Sequence, residues 1–319
     1  MFDFCYLLIN HLFTHIKYII SLFGFILNLT CLITFWQIIK QNNLKDNLFK
    51  YLLIKSACDL YVMFINIVYG TFDNYYKNIL QNYYTMCVFR LIFDEYFGFV
   101  TQLISIFCDV ASSFNQYRSI TNKFHYFDKI SFRLKFLFMI IYSCIFYVYK
   151  FFQRHCTTNE IKRSNTTYFI YKLEHYSYFQ VTPLDYGFSI THGMIRDGIC
   201  CFLIVLFDFL ILVYIRKVFK NKVNILKIST STKLKDERVK NGIFYMVLTT
   251  GIFTFISHLL LLIYYFPIQH DKCFRYFTLI FFYFSMSISF FSYYIFNMNF
   301  RRIIDDKILS KLMNYFIGK

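Results

Sequence analysis

Residues 241–266 read NGIFYMVLTTGIFTFISHLLLLIYYF, twenty-six positions without an aspartate, glutamate, lysine or arginine. A helix rises about 1.5 Å per residue, so roughly 20 such residues cross a hydrocarbon layer of about 30 Å. Six further stretches of this kind lie outward from it, at 16–39, 48–70, 88–117, 132–152, 197–219 and 274–298. The whole chain agrees: of 319 residues 57% are hydrophobic and 16% charged, with 44 Phe and 29 Tyr. A soluble domain typically carries about 25% charged residues, and one water-facing fold cannot hide that many rings, whereas lipid can cover them. The expected fold is therefore an all-α membrane protein of seven transmembrane helices, and disorder is excluded.

The formal charge of +16 is unevenly placed. The connections at 40–50, 118–135 and 216–240, with the segment after residue 300, hold 22 lysines and arginines, against eleven on the opposite side. Basic connections stay in the cytosol, which predicts a multi-pass membrane protein with its amino terminus outside. The organisation expected is an extracellular amino terminus at 1–15, a membrane domain at 16–298 and a cytosolic tail at 299–319. The stretch MFDFCYLLIN lacks a basic start and a small-residue cleavage site, so no removable signal peptide is expected. A basic cytosolic face meets anionic lipid or an acidic partner. Nucleic acid is not an expected partner, because no soluble basic domain carries the charge.

The long outer loop, 153–196, contains the sequon Asn165-Thr166-Thr167, usable for glycosylation only on the luminal side. A second sequon at Asn28 falls inside the first span and is expected to be inert. The stretch TTYFIYKLEHYSYFQVTP, ending at Pro183, reads as a β-hairpin. After the seventh span, Phe300, Ile303, Ile304, Ile308, Leu312 and Phe316 recur at helical spacing, which predicts an amphipathic helix lying on the membrane surface. No zinc pattern occurs among the ten cysteines, and HExxH, GxSxG and phosphate-loop motifs are all missing from the chain, so neither an enzyme nor a cofactor-dependent protein is expected.

Individual strings then resemble the rhodopsin-like (class A) seven-transmembrane G-protein-coupled receptors. GFILNL, with Gly24 and Asn28, is similar to the family's GxxxN. YLLIKSACDL puts Asp59 in the setting of the family's buried acid. FNQYRSI resembles LDRYIAI, and SFFSYYIFNMNFRRII resembles NPxxY followed by NxxFR. The resemblance covers the chain and implies a cell-surface receptor that binds an extracellular ligand, a peptide or chemosensory compound, and signals through a heterotrimeric G protein. Asn115, Gln116, Tyr117 and Tyr293 then form the G-protein-facing set. Gln116 replaces the family's arginine, so the ion pair with an acid at Asp236 or Glu237 is weakened by one charge, and raised basal activity is expected. His258 stands where the family has a tryptophan.

The same resemblance implies a disulfide from Cys87 to Cys156, and the outer positions of Cys5 and Cys273 allow a second bond. Cys87 precedes Gln116 by four residues more than in the family, which asks for an extra turn at the outer end of the third helix. It also implies a sodium site at Asp59 with Asn28, Ser105, Ser285 and Ser289, since oxygen ligands suit a hard cation. A hydrogen-bonded cluster around a protonated Asp59 is the alternative. A carboxylate inside a transmembrane helix costs about 2.5–3.5 kcal/mol on insertion scales, so Asp59, Asp109 and Asp208 need polar company or a function. Asp94 and Glu95, near the outer mouth, are candidate ligand contacts together with His258. Arg90 and Asp94, one turn apart, read equally well as a surface pair. Two rival functions remain open: a secondary transporter or channel using the intramembrane acids, and a decoy receptor that binds without coupling.

Overall fold

The computed structural model describes residues 2–42, 47–75, 84–121, 123–124, 126–163, 166–175, 187, 190–222, 231–265 and 272–310. Seven helices in it are long and apolar enough to cross a membrane. They are α1 (Phe2–Asn42), α2 (Asn47–Tyr75), α3 (Tyr84–Thr121), α4 (Phe132–Phe152), α5 (Ile190–Tyr214, running on to Lys222), α6 (Ser231–Tyr265) and α7 (Lys272–Phe296). The spanning part of α1 is His15–Gln41. The residues before it belong to the same helix, and from Phe2 to His15 there is neither glycine nor proline to break it.

Among the described helices α1 packs on α2 and α7, α2 on α3, α5 on α6 and α6 on α7, while α3 touches α2, α4, α5 and α6. Polarity is reversed from that of a soluble protein. Side chains facing outward are apolar, such as Phe138 at 73% exposure, Ile145 at 69% and Phe202 at 64%. Facing inward are Asp59, Asp109, Arg196, Asp197, Ser257 and His258, all buried. With lipid as the outer solvent, apolar surface costs nothing there, and polar groups gain by finding each other inside.

Asn297 ends α7. Its backbone is extended and its side chain accepts a hydrogen bond from the Phe300 amide at 3.1 Å, an N-cap that starts the short helix α8 (Met298–Ile303). Helical structure continues through a wide π-turn at Ile304–Leu309. Phe300 and Ile303 turn inward, and the Phe300 ring meets Phe35 and Tyr293 with centroids 5.2 and 5.7 Å apart. Leu312 and Phe316, counted in the expected amphipathic face, lie outside the described residues.

The long loop holds a two-stranded antiparallel sheet, β1 (Arg154–Arg163) and β2 (Thr166–His175), registered from Arg154 opposite His175 to Arg163 opposite Thr166. The expected hairpin within the Tyr-rich stretch is thus corrected. Among the described residues that stretch supplies β2, and its partner is the upstream segment, which has little alternation of its own but is anchored by Cys156. Cys156 is bonded to Cys87 at the start of α3, with Cα atoms 6.0 Å apart, and this bond pins β1 across that helix end. Cys5, Cys273, Asn165 and Pro183 fall where side chains or backbone are not described. At its disulfide end α3 is one continuous helix with a wide π-turn at Arg90–Tyr96.

Candidate functional site

Two buried ionic networks occupy the middle of the protein. The first starts from α2. Lys55 and Asp59 stand one turn apart on one face, and their charged groups meet at 3.2 Å. The Lys55 ammonium also reaches Asp109 of α3 at 2.9 Å. Ser105, one turn before Asp109, donates to Asp59 at 2.6 Å, and Thr254 of α6 donates to the other side of the network, the Asp109 carboxylate, at 3.3 Å. Lys55, Asp59 and Asp109 are all at least nine-tenths buried. One ammonium thereby joins two carboxylates on neighbouring helices, and α6 attaches through a hydroxyl.

The second network is built on a wide π-turn, Met194–Ile199, near the start of α5. Adjacent residues on an ordinary helix do not face each other. In this widened turn, a geometry found often at functional sites, the Arg196 guanidinium doubles back on Asp197 with hydrogen bonds of 2.9 and 2.8 Å. A further Arg196 nitrogen donates to Gln102 of α3 at 2.9 Å. Nδ1 of His258, on α6, lies in hydrogen-bond contact with the Asp197 carboxylate. Beside this set, Tyr147 of α4 and His192 of α5 share a hydrogen bond of 2.6 Å, and the Lys150 ammonium lies 4.6 Å from the centre of the Phe99 ring. Between the two networks is a cavity of about 10 Å³, lined by Lys55, Asp109, Gln102, Ser105, His258 and Ser285 among others. That is close to the space one water needs, and the polar lining offers it partners.

Of the five residues expected around a sodium ion, the structure joins only Ser105 to Asp59. Asn28 instead donates to the carbonyls of Gly24, at 2.9 Å, and Met286, at 3.5 Å. Ser285 and Ser289 bond back to carbonyls one turn earlier on α7. The remaining Asp59 oxygen faces the Lys55 ammonium. A second cation about 4 Å from that ammonium would be repelled by about 4 kcal/mol at an effective dielectric of 20. These donors therefore do not fit a resident sodium ion, because the cation facing Asp59 belongs to the chain itself.

The remaining predicted residues are spread along the molecule. Asp94 pairs with Arg90 at 3.8 Å, both partly exposed, and Glu95 is buried. Asn115 accepts from Arg118 at 2.9 Å, Gln116 is buried, and the Tyr117 ring lies near those of Phe124 and Phe207. Tyr293 is buried, its ring 5.0 Å from that of Phe35, and its hydroxyl finds no described hydrogen-bond partner. Asp208, on α5, is buried with one carboxylate oxygen unpartnered among the described residues, and the other lies so close to Gly251 of α6 that any side chain there would collide with it. Asp236 and Glu237 are in helix α6, but their side chains fall outside the description.

Sequence reading missed Lys55, Gln102, Arg196, Asp197 and Thr254. A signal for Lys55 existed: a lysine four residues before an aspartate inside an apolar helix pairs with it by spacing alone. Arg196 ends the stretch expected as a loop and Asp197 begins the fifth span; only the packing of α5 on α3 and α6 takes them inside.

No protein-family model matches this chain, and a comparison with curated proteins finds no match.

Proposed function

We propose that the chain is a plasma-membrane receptor of the rhodopsin-like kind, with its amino terminus outside, binding an extracellular peptide or chemosensory compound and signalling through a heterotrimeric G protein. The observation that carries this reading is the pair of ionic networks meeting at one cavity between α2, α3, α6 and α7. Helices held together by buried charges have discrete packings, since a half-shifted ion pair strands its charge in a medium that cannot solvate it. A ligand that prefers one packing shifts the population of the other end of the same helices. In this reading ligand enters on the side of the hairpin, which the disulfide ties to the same end of α3 that carries Asp94 and Glu95. In this reading α8 is the amphipathic surface helix, Asn165 carries a glycan and the face of Asn115, Gln116, Tyr117 and Tyr293 meets the G protein.

A second reading, a transporter or channel, draws on the same cavity, because Lys55, Asp59 and Asp109 are the residue types of an ion or proton path. Nucleotide exchange on a panel of G proteins, screened with peptides and odorant-like compounds, separates the two. Ligand-dependent exchange without ion flux in liposomes supports the receptor. Flux without exchange supports the transporter, and binding with neither supports a decoy.

A further inference from the structure

Asp208 belongs to neither ionic network. It lies on α5, 5% exposed, and one of its carboxyl oxygens finds no hydrogen-bond partner among the described residues. The other lies against Gly251 of α6, where a Cβ would overlap it and crowd the Ile204 side chain as well. Two groups of α3 bear on the carboxyl: Ser113, which shares a hydrogen bond with it, and the Asp109 carboxylate one turn earlier. No lysine, arginine or histidine among the described residues pairs with it. Asp109 is itself held by Lys55 and Thr254, in a network that already sets two carboxylates against one ammonium. On α6 the ionisable His258, seven residues beyond Gly251, is engaged with Asp197.

An ionised carboxylate in this position would be a bare charge beside another of the same sign, in a medium that cannot solvate it. Such a group is neutralised by binding a cation, and the smallest cation is the one the site can take. A hard metal ion asks for about six oxygen ligands. The described neighbours offer a serine hydroxyl and a carboxylate already engaged, and Asp208 does not line the cavity between the two networks. A proton needs one oxygen, and the unpartnered one is available to it.

We propose that Asp208 is a proton-binding site: it is a neutral carboxylic acid while α5 and α6 are packed at Gly251, and it gives up that proton only when the two helices part. The close contact sets the coupling. A neutral carboxyl can lie flat on the α6 backbone at Gly251, whereas a charged one needs water on the face that Gly251 covers. Protons therefore favour the packed arrangement of α5 on α6, whether the chain works as a receptor or as a transporter.

The test is infrared spectroscopy of the full chain in micelles of an ester-free detergent, where the carbonyl stretch of a protonated carboxyl stands apart from that of a carboxylate. At neutral pH the wild type minus Asp208→Asn spectrum is expected to show a carboxylic-acid band. Asp306→Asn, at an exposed acid, should subtract no such band. An Asp208 difference spectrum without the acid band, or one whose acid band disappears when sodium replaces choline at constant pH, overturns the proposal. If Asp208→Asn does not fold, Asp208→Ala serves in the same subtraction. The coupling is read from melting temperature. An aspartate in water ionises at about pH 4, so above that range the folded chain holds one proton more than the unfolded one, and its stability falls about tenfold in equilibrium per pH unit until the buried acid itself ionises. Asp208→Asn, which has no proton to lose, should gain on the wild type as the pH rises from acid to neutral. A gap in melting temperature that does not change with pH overturns the link between the proton and the packing.

Discussion

Lys55 is the residue on which the interior depends most. It is a buried cation held by Asp59 and Asp109, and Ser105 and Thr254 satisfy further oxygens of those carboxylates. Removing one partner of a buried pair leaves the other charges uncompensated, a loss of about 3–5 kcal/mol, whereas removing a charge of each sign costs much less. Lys55→Met is therefore expected to lower the melting temperature of the purified protein sharply, and Lys55→Met with Asp109→Asn to recover more than half of the loss. Non-additivity of that kind is the signature of direct coupling, and purely additive losses would contradict the pairing. Since the ammonium already supplies the cation, exchanging sodium for choline in the buffer should leave the wild-type melting temperature where it is. A stabilisation by sodium would restore the metal site that the donor geometry argues against.

At the scale of elements, two local devices set the ends of the helices. The disulfide from Cys87 to Cys156 closes a loop of 69 residues and attaches β1 to α3. In the chain-entropy model such a closure is worth about 4 kcal/mol. Cys156→Ser should remove most of that, and hydrogen exchange should show lost protection in Arg154–Arg163 and Thr166–His175 before the spanning helices respond. The Asn297 cap acts at the other end of the molecule. Asn297→Ala removes the side-chain acceptor for the Phe300 amide, with an expected cost of about 1 kcal/mol. Faster exchange confined to Met298–Leu309 would report it; unchanged exchange there would mean that packing of Phe300 against Phe35 and Tyr293 orders α8 by itself.

For the whole molecule, the receptor reading makes the packing of α3 against α5 and α6 the quantity that a ligand changes. Gln116 is buried near the end of α3 away from the disulfide, and in the receptor reading it stands where an arginine would pair with an acid of α6. A glutamine offers at best a neutral hydrogen bond, roughly half as strong as a charge-assisted one. Cells expressing the chain with Gln116→Arg are expected to show lower ligand-free G-protein signalling than wild type. An unchanged basal output would detach Gln116 from the inactive packing.

The sequence by itself determined the seven apolar helices, since length and hydropathy are local properties and lipid rewards them residue by residue. It also determined the candidates within them, because a carboxylate such as Asp59 in an apolar run is conspicuous wherever it ends up. Pairings were decided only in three dimensions. Lys55 could have reached outward to a headgroup; what turned it inward was α3, which presents Asp109 at the same depth. Arg196 and Asp197 became interior residues because a wide turn of α5 packs against Gln102 and His258. The partner of β2 was set by a cysteine bridge, not by alternation. A charge in a membrane takes its partner from the neighbouring helix, and which helix is the neighbour is a property of the packing alone.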